Sequence, residues 1–186
     1  MKMLAFACAA ALFGLQGCAT PASELPKMYE ITDTAYRLGA GDEVRITVYG
    51  MDQMTNTYVV GDGGTISLPL LETMPVEGKT PAEVEKAIAD AILAKQLVLQ
   101  PSVSAQVQKY RPFYILGEVQ KPGQYPYAPG LSVTSAVSIA GGFTFRADKT
   151  QFAIQRKSGQ KMVKGQVGPD APVLPGDTVT VYESWF

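Results

Sequence analysis

Glycine and proline interrupt this chain so often that long helices and long strands are excluded over most of its length. Eighteen glycines and thirteen prolines stand among 186 residues, and both residue types favour turns over the interiors of regular elements. The sequence therefore predicts short strands joined by turns, with few helices. An apolar fraction of 46% and a charged fraction of 18% are ordinary for a globular protein and argue against a long disordered chain.

The residue types that are missing exclude most enzyme chemistry. The chain contains no histidine, so no imidazole can act as a general base or a metal ligand. Its two cysteines, Cys8 and Cys18, stand at the N-terminus, which leaves the remainder without a thiol nucleophile or a cysteine-based zinc site. We therefore expect no catalytic residue, no cofactor and no metal. Sixteen basic and seventeen acidic residues are mixed along the chain without a basic stripe, so nucleic acid is not an expected partner.

The first seventeen residues have the pattern of a secretory signal peptide. Lys2 precedes an uncharged run over residues 4–15, which is shorter than the roughly 20 residues of a membrane span. The following Leu15-Gln16-Gly17-Cys18 resembles the bacterial lipobox, in which the cysteine is lipidated and becomes the first residue of the mature chain. We predict residues 1–17 to be a lipoprotein signal peptide and Cys18 to carry the lipid anchor. The alternative is an ordinary signal peptide with a chance cysteine.

The residues after the predicted anchor suggest where the protein is held. Ala19 replaces the aspartate that commonly retains lipoproteins at the inner membrane. This favours lipid anchoring in the outer membrane, on its periplasmic face. Residues 18–35 contain Pro21 and Pro26 and show no sustained periodicity, so we predict a tether.

A first folded unit is predicted over residues 36–109. Val44, Ile46 and Val48 alternate with polar residues, as in a half-buried strand. Residues 57–60 and 65–70 flank Gly61-Asp62-Gly63-Gly64, and this arrangement predicts a hairpin.

A helix follows the predicted hairpin. Thr80-Pro81-Ala82-Glu83 combines an N-cap threonine, a proline at the first helical position and a glutamate three residues after the cap. An apolar face follows at helical spacing, made by Val84, Ala87, Ile88, Ala91 and Ile92. Residues 102–109 alternate again and predict the last strand of this unit.

A second unit is predicted over residues 110–186. Apolar segments at 113–116, 152–156, 162–164 and 178–182 predict strands, and Ser132 can cap a short helix that Gly141-Gly142 ends. Gly176-Asp177 repeats the Gly41-Asp42 pattern of the first unit, each pair standing directly before a strand. An aspartate that accepts backbone N–H bonds in a turn explains the repeat. An internal duplication is the alternative.

These motifs together resemble a known family. Residues 36–49, the segment Val60-Gly61-Asp62-Gly63-Gly64-Thr65 and the capped helix resemble the polysaccharide biosynthesis/export domain. Gly117-Glu118-Val119, Pro122-Gly123-Gln124-Tyr125 and Ala140-Gly141-Gly142 resemble the β-grasp-like SLBB domain that follows it in Wza-type exporters. The fold class that this implies is α+β, a small export domain followed by one SLBB domain, in a ring-forming protein.

The resemblance also implies a function, a location and partners. Family members are lipoproteins whose homo-oligomeric rings pass capsular polysaccharide or exopolysaccharide outward, and they work with an inner-membrane polysaccharide co-polymerase. Glu72 stands where the family usually has a glycine after Leu70-Leu71, so that turn is expected to differ. Residues 183–186 directly follow the last predicted strand, without the pore helix of long family members. We therefore expect the short class, which relies on a separate outer-membrane channel.

Some residues permit a more specific interpretation. Asp42, Asp62 and Asp177 suggest glycosidase-like carboxylates, but each stands in a glycine-containing turn where aspartate has a backbone role. The glycine-rich turn at 61–64 lacks the residues that complete a phosphate loop or a calcium loop. Possible glycan or subunit contacts are provided by a set of aromatic and basic side chains: Tyr110, Arg111, Tyr114, Tyr125 and Tyr127.

Other classes of function remain open from the sequence alone. The alternatives are a carbohydrate-binding or wall-attached lipoprotein without transport, and an enzyme that acts on glycans. Trp185 and Phe186 either form an exposed contact for another protein or close the core. Export by a non-enzymatic conduit agrees best with the absence of catalytic groups.

Overall fold

The computed structural model describes residues 24–28, 35–159 and 161–184. Two hydrophobic cores succeed one another along the chain. The first gathers buried side chains between Leu38 and Ala105, and the second gathers buried side chains between Phe113 and Val181. Each core is covered by one helix and at least one sheet, and the predicted α+β class is confirmed.

The first domain is built on a three-stranded antiparallel sheet. Strand β1 (Glu43–Val48) lies in the centre, between β2 (Asn56–Val59) and β5 (Val103–Lys109). The predicted alternation is confirmed, because Val44, Ile46 and Val48 are buried while Arg45 and Thr47 face outward. A short 3-10 helix (Asp52–Met54) links β1 to β2.

The predicted hairpin around residues 61–64 is wrong. The turn itself forms, with hydrogen bonds from Gly61 N–H to the Thr65 carbonyl and from Gly64 N–H to the Gly61 carbonyl. The flanking strands then separate, because β2 pairs with β1 whereas β3 (Thr65–Ser67) pairs with β4 (Thr73–Pro75). The residues at 61–64 correctly indicate a turn, but they do not specify which strands pair with each other.

The helix of the first domain begins as the sequence predicts. Helix α1 (Pro81–Ala94) starts with a capping box, in which Glu83 N–H donates to Thr80 Oγ1 and Thr80 N–H donates to the Glu83 carboxylate. One face of α1 is buried against the sheet through Val84, Ile88 and Ile92.

The second domain contains a five-stranded sheet and one short helix. Its elements are β6 (Phe113–Gly117), β7 (Gly123–Tyr125), α2 (Val133–Ile139), β8 (Ala147–Ser158), β9 (Lys161–Val167) and β10 (Thr178–Glu183). The strand order is β7-β6-β10-β8-β9, with β10 parallel to β6 and the other pairs antiparallel. The C-terminal strand therefore lies in the middle of the sheet.

The predicted start and end of the second helix are confirmed. Ser132 Oγ accepts a hydrogen bond from Ser135 N–H at the start of α2. Gly141 and Gly142 follow the helix with φ values of 87° and 92°, a left-handed conformation that glycine adopts without strain.

An ion pair between partly exposed side chains joins the domains, since Lys157 of β8 lies 2.7 Å from Glu77 of the first domain. Both side chains of the ion pair are partly exposed, so this pair contributes little free energy by itself.

Candidate functional site

The junction between the domains contains a buried carboxylate on which four donors converge. Asp42 is fully buried in the turn before β1. It accepts hydrogen bonds from Gly39 N–H at 2.8 Å, from Arg111 N–H at 2.8 Å and from the Arg111 guanidinium at 2.9 Å. The Tyr36 hydroxyl is the fourth donor.

The second domain uses the same arrangement before β10. Asp177 is fully buried and accepts from Leu174 N–H at 2.7 Å. The Arg156 guanidinium donates two hydrogen bonds to its carboxylate, from Nε at 2.7 Å and Nη2 at 2.6 Å. In both turns the glycine before the aspartate has a positive φ, 90° at Gly41 and 85° at Gly176. The backbone explanation of these aspartates is thus confirmed, and both carboxylates are committed to structural bonds.

Arg111 passes between the two turns. A Cβ atom at Gly39 would lie 2.7 Å from Arg111 Nη1, and a Cβ atom at Gly176 would lie 2.9 Å from Arg111 Nε. Both distances are shorter than side-chain contacts allow. Glycine at both sites therefore leaves the room that the guanidinium occupies.

A row of tyrosine rings continues the junction. The Tyr36 and Tyr110 rings meet edge to face with centroids 4.8 Å apart, and Tyr110 meets Tyr127 in the same way at 5.4 Å. Burial, and then the hydrogen bond to Asp42, raise the pKa of Tyr36 well above its ordinary value. Burial also raises the pKa of Tyr127. Three of the five predicted contact residues therefore lie at this junction, where they contact other residues of the same chain: Tyr110, Arg111 and Tyr127.

The other two predicted contact residues lie elsewhere in the second domain. Tyr125 stacks on Phe113 with centroids 5.9 Å apart, and its hydroxyl donates to the Lys121 carbonyl. Tyr114 points to the opposite face of the sheet and is 40% exposed. A glycan or subunit contact by the five residues stays a prediction, and Tyr114 is the one that presents most clearly to solvent.

The outer face of the second sheet surrounds Tyr114 with uncharged polar groups. Tyr114 lies beside Thr178, which in turn lies beside Gln155, and Leu116 lies beside Thr180 on the same face. An aromatic ring among hydroxyl and amide groups suits contact with a hydrophilic polymer that is held weakly. The sequence did not reveal this face, because it depends on the pairing of β6 with β10, more than sixty residues later in the chain.

The residues that the structure describes contain no cluster of acidic, histidine or cysteine side chains that could hold a metal ion. Within the same residues, no helix is both long enough and apolar enough to cross a membrane. Cys18, Trp185 and Phe186 lie outside the described residues. The predicted lipidation at Cys18 therefore stays a prediction.

Comparison with protein families divides the chain in the same way as its two cores. Residues 30–108 match the polysaccharide biosynthesis/export protein model, and residues 112–165 match the SLBB domain model. The junction residues Tyr110 and Arg111 fall between the two matches.

Curated relatives carry related descriptions. The chain is 41% identical over 128 residues to the exopolysaccharide production protein ExoF of Rhizobium meliloti, a match over 62% of this chain and 30% of the relative. It is 29% identical over 150 residues to the EPS I polysaccharide export outer membrane protein EpsA of Ralstonia nicotianae, a match over 66% of this chain and 39% of the relative. The chain thus spans less than half the length of these relatives.

Proposed function

Because the chain belongs to the polysaccharide biosynthesis/export family, we propose that it is a lipoprotein of the outer membrane that helps to export an exopolysaccharide or capsular polysaccharide. The observation that carries this proposal is the tandem of an export domain and an SLBB domain, matched over residues 30–108 and 112–165. Cys18 holds the protein at the periplasmic face of the membrane through its lipid. The lipobox Leu15-Gln16-Gly17-Cys18 supports this anchor.

The proposed protein works as a homo-oligomeric ring rather than as an enzyme. An inner-membrane co-polymerase delivers the polymer to the ring, and a separate outer-membrane channel receives it. A conduit for a long hydrophilic chain needs weak and repeated contacts, since tight binding would stop transit. The neutral outer face around Tyr114 supports this mode of contact, and the commitment of Asp42 and Asp177 to structural bonds supports a role without catalysis.

A deletion strain complemented with variants tests the proposed function. Deletion of the gene should abolish surface or secreted polysaccharide, and the wild-type gene should restore it. The Cys18→Ala variant should fail to incorporate radiolabelled palmitate, lose stable membrane association and restore little polymer. Cys8→Ala is the matched control, because residue 8 lies within the predicted signal peptide.

Each part of the proposal has a result that would contradict it. Normal surface polymer in the deletion strain would exclude a necessary role in export, and equal palmitate labelling of the Cys18→Ala variant would exclude the anchor. A detergent-solubilised protein with the size of one chain would oppose the ring. If that monomer bound the polymer, a carbohydrate-binding lipoprotein without transport would be the better description.

A further inference from the structure

A short segment that precedes the first domain is bound to the second domain. Met28 N–H donates to the Gln166 carbonyl at 2.9 Å, and Gln166 N–H donates to the Pro26 carbonyl at 2.9 Å. These bonds form a parallel bridge between Lys27 and Gln166 on β9. Residues 26–28, the docking segment, therefore extend the second sheet beyond its edge strand.

A glycine in β9 makes room for the docking segment. Gly165 is buried, and a Cβ atom there would lie 2.9 Å from Met28 Cβ and 3.0 Å from the Pro26 carbonyl oxygen. Its φ lies outside the left-handed region, so the backbone of β9 does not itself require glycine at this position. Glycine is otherwise unfavourable in the interior of a strand. The space taken by the docking segment accounts for it.

The docking segment pairs with β9 in parallel, and this sets the direction in which the segment runs along the strand. In a parallel pair both segments run in the same direction, so the N-terminal end of the docking segment faces the start of β9, which follows the turn from β8. The start of β9 lies four residues before Gly165, about 13 Å along the strand. Cys18 lies eight residues before Pro26, and eight residues reach at most about 29 Å. A lipid on Cys18 therefore restricts how far the start of β9 can lie from the bilayer.

The start of β9 has the composition of a surface that meets lipid headgroups. Met162 and Val163 are 56% and 44% exposed, and they stand between the exposed residues Lys161 and Lys164. Lys27, on the docking segment, adds a third exposed lysine. Lysines near a membrane attract anionic lipids, and apolar side chains between them can enter the headgroup region.

We propose that residues 161–164, held beside the anchor by the docking segment, form a membrane-contacting surface that binds an anionic lipid leaflet. The second domain then contacts the bilayer through the start of β9. Lys157, at the end of β8, is engaged by Glu77 of the first domain and does not take part. The proposal rests on the lipid anchor of the proposed function, but not on polymer export.

Fluorescence quenching by lipids in the bilayer tests this orientation with the full chain. A fluorophore is attached to Met162→Cys, and in the control to Phe145→Cys. Phe145 is 91% exposed and precedes the start of β8, at the end of that strand that is remote from β9's first residues. Acylation blocks Cys18 from the label, and signal cleavage removes Cys8. Both proteins are reconstituted into phosphatidylglycerol vesicles that contain a doxyl-labelled lipid.

The expected result is strong quenching at position 162 and little at position 145. Adding Lys161→Glu to Met162→Cys should reduce the quenching at 162, because an acidic side chain is repelled by the anionic leaflet. Equal quenching at both positions in a palmitate-labelled protein would overturn the orientation and leave the anchor and export intact. A protein without palmitate would overturn the anchor and this orientation together. Loss of export is measured separately, on the deletion strain.

Discussion

Replacing Asp42 with alanine should destabilise the protein far more than replacing an exposed aspartate. The Asp42 carboxylate is the common acceptor for the Gly39 N–H, the Arg111 N–H, the Arg111 guanidinium and the Tyr36 hydroxyl. Alanine would leave these donors without an acceptor and the guanidinium without its counter-charge. Both effects are costly in a buried site.

The magnitude follows from the burial of the two partners. Removing one partner of a buried ion pair costs about 3–5 kcal/mol. The Asp42 side chain is fully buried, whereas the Arg111 side chain keeps 27% of its surface exposed. Water can therefore solvate the guanidinium in part once its partner is lost. We expect the free energy of unfolding to fall by about 3 kcal/mol, near the lower end of that range.

Urea denaturation followed by far-ultraviolet circular dichroism measures this loss. Asp62→Ala is the matched control, because Asp62 is exposed in the turn at 61–64 and its replacement should change stability by about 0.5 kcal/mol or less. A double-mutant cycle with Arg111→Ala should give a coupling energy of about 1 kcal/mol or more. A loss below about 1 kcal/mol for Asp42→Ala, or a coupling near zero, would refute the view that this pair fastens the junction.

Two further predictions concern the junction and the docking segment. Burial and the hydrogen bond to Asp42 raise the pKa of Tyr36 above its ordinary value of 10.0, so its contribution to stability is present below pH 10 and is lost as the pH rises further. In urea unfolding, the free energy of unfolding of Tyr36→Phe should therefore fall less steeply at alkaline pH than that of the wild type. An equally steep fall in both proteins would contradict this. Gly165→Val should displace the docking segment and speed tryptic cleavage after Lys27. The control is Gly123→Val, which lies on the opposite edge strand with open space around it and should not change the rate. Equal cleavage rates in the two variants would show that the segment does not depend on Gly165.

Elements that depend on residues close together in the sequence could be predicted, whereas features that depend on residues far apart in the sequence could not. The capping box at Thr80 and the alternation of β1 could be recognised because their partners lie within a few residues. The predicted hairpin around residues 61–64 is wrong because β2 pairs with β1 and not with β3. Strand alternation shows which face is buried, but it does not show which neighbour completes the sheet.

The junction could be predicted only in part for the same reason. The two Gly-Asp pairs indicated aspartates with a backbone role, and this was correct for Asp42 and Asp177. Nothing near Asp42 indicates that Arg111, 69 residues later, would supply its counter-charge. The two similar turns indicated the need for a counter-charge only indirectly. Each of them places a carboxylate in a core, and a buried carboxylate requires a cation as its partner.

The arrangement of the junction leads to a last prediction, which rests on the proposed function and concerns the residues on which the proposed export depends most. A conduit that holds its polymer weakly spreads contact over many side chains, so loss of one contact residue should matter little. Loss of a residue that orients the domains should matter in every subunit at once. In the complemented deletion strain we therefore expect Arg111→Lys to lower surface polymer severalfold, because lysine keeps the charge but lacks the planar guanidinium that packs between Gly39 and Gly176.

Tyr114→Ala is the matched comparison, because it removes the most exposed of the predicted contact rings and leaves the junction intact. Its surface polymer should stay close to that of the wild type. Circular dichroism and membrane fractionation should show both variants folded and anchored, so that the difference reports orientation rather than abundance. The opposite pattern, with export lost in Tyr114→Ala and preserved in Arg111→Lys, would mean that a specific grip on the polymer limits transport, and that the fixed angle between the domains does not.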